Sequence, residues 1–178
     1  MLTAILLATV ATVTPALDAA QAADVTSLAG GMKSLYRSIR QNILEAAELM
    51  PEDKYAFKPS ADVRTFGQLV GHVTNTHYNF CSAAREVPSP NKRNNETLTT
   101  KAELVAALKE SLAFCDAAYE LGDTDLLKPA KFGTAAITKG YALTYNIAHD
   151  NEHYGNIVTY LRLNGLVPPS TARRGGGE

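Results

Sequence analysis

The sequence has 178 residues, with 17 Lys+Arg against 18 Asp+Glu, a formal net charge of −1 and a pI near 6.4. That balance excludes a strongly basic nucleic-acid binder, and 46% apolar against 20% charged residues excludes a disordered chain. Two cysteines exclude a disulfide-stapled scaffold and a four-cysteine zinc site, and the length suits one domain.

Residues 1–17 carry no charge and are rich in Leu, Ala, Val and Thr. Ala20-Gln21-Ala22 then supplies a small-residue cleavage site, so residues 1–22 read as a secretory signal peptide. No basic residue precedes Lys33, so the run lacks the usual basic start. A membrane anchor is the alternative, but Pro15 interrupts the run. The run also falls short of the roughly 20 apolar residues a span needs. Export would place the chain in the periplasm or outside the cell, where a disulfide persists.

Residues 24–50 predict a first helix from Leu28, Met32, Leu35, Ile39, Ile43, Ala46 and Met50, stopped by Pro51. After a proline-punctuated connection, Thr65-Phe66-Gly67-Gln68 forms a capping box that opens a second helix to about Arg85. Its apolar face holds Phe66, Leu69, Val70, Val73, Phe80 and Cys81. Residues 86–99 form a polar loop. A second capping box, Thr100 with Glu103, opens a third helix carrying Leu104, Leu108, Leu112 and Cys115, closed by Gly122. A long connection to Ile137 precedes a fourth helix over residues 138–164. Gly165 and Pro168-Pro169 end it, and residues 170–178, with three glycines, predict a disordered tail.

No alternation long enough to demand a sheet appears. The expected fold is therefore all-α, a four-helix bundle over residues 23–169 with long connections. A loop of about 14 residues spans up to about 46 Å, enough to cross over between parallel neighbours.

His149 and His153 lie four apart on the fourth helix, which puts both imidazoles within reach of one metal. Their stripe also carries Tyr145, Asn156 and Tyr160, polar but uncharged side chains that suit a lined pocket. Asn42, on the apolar stripe of the first helix, reads either as a satisfied core amide or as a pocket donor. The third ligand is less obvious. His72 and His77 are five apart, about 140° around a helix, so they do not share one metal. Periodicity favours His77, which shares the apolar face with Val73 and Phe80, and leaves the choice open. The segment from His149 to His153 also fits H-x-x-E-H, in which Glu152 would be a general base. The plainer reading of Glu152 is a solvated charge.

Three segments together resemble the DinB/YfiT-like family. They are the run from Pro51 to Pro59 (PEDKYAFKP), the run from Arg64 to Val73 (RTFGQLVGHV), and the stretch from His149 through Tyr154-Gly155-Asn156 to Pro169. The resemblance implies a bundle in up-down-down-up order. It also implies a divalent metal, zinc or nickel, held by His72, His149 and His153. Known activities in the family include thiol S-transfer, isomerisation and hydrolysis. The expectation is an exported, metal-dependent enzyme of hydrolase or transferase type acting on a small molecule. The alternative is a metal- or ligand-binding envelope protein without turnover. Partners would be a small molecule and, at most, a second copy of the chain, with neither nucleic acid nor stable membrane insertion.

The family order also bears on the cysteines. Cys81 and Cys115 lie a similar distance along the second and third helices, about 21–22 Å from their N-termini. Parallel neighbours would bring them level, and the family order makes these helices parallel. A Cys81–Cys115 disulfide follows as an expectation.

Overall fold

A computed structural model describes residues 25–175. The leader expected at residues 1–22 lies outside them, as do residues 176–178. Four long helices carry the fold: α1 (Leu28–Leu49), α2 (Phe66–Arg85), α3 (Lys101–Asp116) and α5 (Lys139–Leu163). Between α3 and α5 come a one-turn α4 (Asp123–Leu126) and an antiparallel hairpin of β1 (Pro129–Phe132) and β2 (Ala135–Thr138). A short α6 (Pro169–Gly175) follows. No helix among the described residues is long and apolar enough to cross a membrane.

Side-chain bonds at the helix ends fix the directions. The ends of α1 and α3 meet head to tail: Lys33 pairs with Glu120 just past α3, and Lys101 Nζ donates to the Glu48 and Met50 carbonyls. The α2 and α3 helices run parallel, with Gly67 against Leu104 near their starts and Cys81 bonded to Cys115 near their ends. The α2 and α5 helices are antiparallel, since Tyr160 donates to the Arg64 carbonyl at 2.6 Å while Tyr145 packs on Phe80. The order is up-down-down-up, as the family resemblance implies.

Each start is capped as its sequence dictates. Thr65 and Gln68 make the full reciprocal box at α2, and the Thr100 and Thr138 hydroxyls accept the third backbone N–H of α3 and α5. The core has two apolar clusters. One surrounds Ile43, Phe66, Val70, Leu108 and Ile157, and the other surrounds Tyr36, Cys81, Cys115 and Leu143. Between them runs a buried polar belt. His77 bonds Ser111 Oγ at 3.0 Å and both Asp150 oxygens at 3.1 Å, and Asn146 donates to Asp150 at 3.0 Å.

Two expectations need correction. The connection before the fourth helix contains the β1–β2 hairpin, whose strands of four residues are too short and too exposed to leave an alternating pattern. The tail expected to be disordered from Ser170 is helical through Gly175. Pro168 and Pro169 end one helix and open the next. A proline's missing N–H costs nothing in a first turn, and the Pro168 carbonyl accepts from Thr171 and Ala172. Arg173 then anchors α6 to α1 through Glu45 and Asn42.

Candidate metal centre

Three histidines converge on one flank of the α2–α5 contact. His72 comes from α2, and His149 and His153 lie on successive turns of α5. Their ligand nitrogens all lie within 4.8 Å of one another. The Nε2 of His149 is 3.2 Å from the Nε2 of His72 and 3.0 Å from that of His153.

The outer nitrogens explain why the inner ones face each other. Glu96, on the 3-10 turn Asn95–Thr97 of the α2–α3 connection, accepts a hydrogen bond from His72 Nδ1 at 2.9 Å. That bond places the proton on Nδ1 and leaves a lone pair on Nε2. Thr76 donates its own proton to the Val73 carbonyl at 2.9 Å, so its oxygen is free to accept from His149 Nδ1 at 3.3 Å. His149 Nε2 therefore also carries a lone pair toward the centre. Two lone pairs 3.2 Å apart repel unless a cation lies between them.

A proton on His149 is disfavoured. Burial, and next the nearby His153 and His72, hold His149 down to about 3 from its ordinary 6.5. Burial and His72 lower His153 as well. A divalent metal fits instead. Histidine nitrogens bind zinc at about 2.0–2.1 Å, so adjacent ligands of one ion lie roughly 3 Å apart. Three imidazoles suit zinc and nickel among other ions. His153 Nδ1 is buried and lacks a partner.

Glu96 itself is held charged. Burial works against its carboxylate, but Arg64 at 3.0 Å and His72 outweigh it and lower its pKa. The backbone at Gly71 makes this approach feasible. A Cβ there would sit 2.4 Å from the Asn95 carbonyl oxygen, so only glycine lets the Asn95–Glu96 turn lie against α2.

The other residues singled out in the sequence are placed differently. His77, which periodicity favours, is fully buried in the polar belt against Asp150 and Ser111 and is not in the cluster. Tyr160 is a core residue whose hydroxyl holds the Arg64 carbonyl. Asn42 is buried and bonded to Arg173 of α6. Tyr145 is half-exposed and packs on Phe80, whose ring lies 5.7 Å from His149. Asn156 and Glu152 are exposed on α5, and Glu152 reaches His153 only through its charge. Cys81 and Cys115 form the expected disulfide, with Cα atoms 5.3 Å apart. Sequence reasoning missed Glu96, Arg64 and Thr76. Of these, Arg64 opens the family motif without revealing its task, and Thr76 follows His72 by one turn on the same face.

Residues 35–157 match the family model of the DinB superfamily. No curated protein matches the sequence. Among solved structures, the fold is similar to a DinB-like protein from Bacillus cereus ATCC 10987, at 15% identity and a TM-score of 0.69, covering 80% of this chain and 96% of that one. It is also similar to a DinB-like protein from Bacillus subtilis, at 22% identity and a TM-score of 0.62, covering 76% and 92%. A conserved protein from Enterococcus faecalis aligns at 13% identity and a TM-score of 0.61, covering 75% and 95%.

Proposed function

The chain belongs to the DinB superfamily, and we propose that it is an exported enzyme of hydrolase or transferase type whose zinc or nickel ion is held by His72, His149 and His153. The observation that carries the metal centre is the convergence of the three histidines, with ligand nitrogens within 4.8 Å of one another and the outer nitrogens of His72 and His149 engaged by Glu96 and Thr76. A bound divalent cation would supply Lewis-acid polarisation of a substrate oxygen or sulfur.

The chain's own residues would do the rest. Glu96 fixes the His72 tautomer and ring angle, and Arg64 keeps Glu96 ionised for that task. Thr76 orients His149. The buried Phe80 ring packs beside His149 and gives that side of the cluster an apolar neighbour. The Cys81–Cys115 disulfide supports the proposed location, since such bridges persist in the periplasm and outside the cell.

One observation favours the second reading, a metal-binding protein without turnover. The carboxylate nearest the cluster, Glu96, is engaged by Arg64 and His72, and Glu152 makes no hydrogen bond to the histidines. Turnover separates the two. The metal-loaded chain should hydrolyse or transfer within a panel of esters, amides and thiol acceptors, and His149→Ala should abolish it. A fully loaded chain that is inert across the panel supports the binding reading.

A further inference from the structure

The His72 face of α2 continues into a cleft. His72, Asn79, Ala83 and Glu86 follow one another at helical spacing, so they form one stripe. Asn79 lies about 10.5 Å along the axis from His72, and from there on the stripe floors a cavity of 720 Å³. One wall is the hairpin, with Pro129, Ala130, Phe132 and Ala136; Val87 stands on the loop side. Phe132 stacks on Phe80 at 5.1 Å, and Phe80 in turn lies beside His149, so a continuous aromatic contact joins the hairpin wall to the histidines.

The lining has a definite chemistry. It is mostly apolar, with Lys131 as its one cation and Glu86 as its one anion. Ser82 also lines it. That side chain is 9% exposed, and its hydroxyl has no hydrogen-bond partner. At the other end, three neutral imidazoles leave the charge of a divalent ion uncompensated, and Glu96 is already committed to Arg64 and His72.

We propose that this cleft holds the apolar body of an amphiphilic small molecule whose single anionic head group reaches the histidines. The inference rests on the metal-centre reading and adds the substrate class to it.

The test uses two hydroxamates that share a head group, acetohydroxamate and octanohydroxamate, titrated calorimetrically into the full chain loaded with zinc and freed of excess metal. Octanohydroxamate is expected to bind at least about tenfold more tightly, a part of what burying six further methylenes allows. Ala136→Trp fills the cleft from the exposed face of the hairpin, and Val87→Trp fills it from the opposite wall. Each should erase the chain-length gain while leaving zinc content and acetohydroxamate affinity unchanged. Equal affinities in the loaded wild type overturn the cleft assignment alone, as does a chain-length gain that survives both tryptophan variants. A chain that takes up no zinc overturns this inference together with the metal-centre reading.

Discussion

Glu96 governs how well the three histidines can hold a cation, although it would touch no metal itself. Its bond to His72 Nδ1 fixes the tautomer, and losing such an outer partner typically costs about 10–100-fold in metal affinity. Glu96→Gln is expected to weaken zinc binding by that order without abolishing it, in a competition titration against a chelator of known affinity; an unchanged affinity would contradict the role. A pH effect belongs to His149. In the metal-free chain its pKa is depressed from 6.5 to about 3, so between those values the unfolded state binds more protons than the folded one. Stability is then whole above 6.5 and falls as pH drops through the window. Melting temperatures of the chelated chain should fall across it more steeply than those of His149→Gln; parallel slopes would refute the assignment. At this scale the sequence was only partly legible. The spacing of His149 and His153 pointed to two of the three converging histidines, and the family motif around His72 to the third. Periodicity alone pointed to His77, because a histidine bonded to Asp150 and Ser111 occupies a core-facing position just as a ligand would.

Elements carry the next layer of constraint. Gly71 on α2 and the Asn95–Thr97 turn approach so closely that an added Cβ would clash at 2.4 Å. Gly71→Ala should push that turn outward and carry Glu96 away from His72, lowering melting temperature and zinc affinity together. Full zinc affinity in a folded Gly71→Ala chain would show that Glu96 does not need this contact. The disulfide joins parallel α2 and α3 across a separation of 34 residues, which on the chain-entropy model stabilises by about 3–4 kcal/mol. Paired Cys81→Ala and Cys115→Ala substitutions should cost roughly that amount in denaturant unfolding, somewhat modified by the lost packing; a cost near zero would remove the bridge from the stability account. The helices were legible because caps and apolar spacing agree: Thr65 with Gln68, Thr100 with Glu103, and Pro51 as a stop. The hairpin was not, since it is edge structure with one buried residue, Ala130. Nor was α6, whose contacts to Glu45 and Asn42 are long-range and leave no local pattern.

Over the whole molecule, the bundle places a polar belt across its middle and the histidine cluster on the flank beside it, between α2 and α5. The His72–Glu96 and His72–His149 contacts tie α2, the α2–α3 connection and α5 together, so metal loading should act on global stability. A cation that binds only the folded chain adds about 2.7 kcal/mol at a hundredfold excess over its dissociation constant. Up-down-down-up order came from family motifs rather than from loop length, since a long connection permits a crossover without requiring one. The most direct measurement is metal content by elemental analysis after dialysis, on the wild type and on His72→Ala and His77→Gln, the latter keeping a polar group in the belt. One divalent ion per chain is expected in the wild type and in His77→Gln, with none retained by His72→Ala. Full occupancy in folded His72→Ala, or an empty folded His77→Gln, would contradict the site described here.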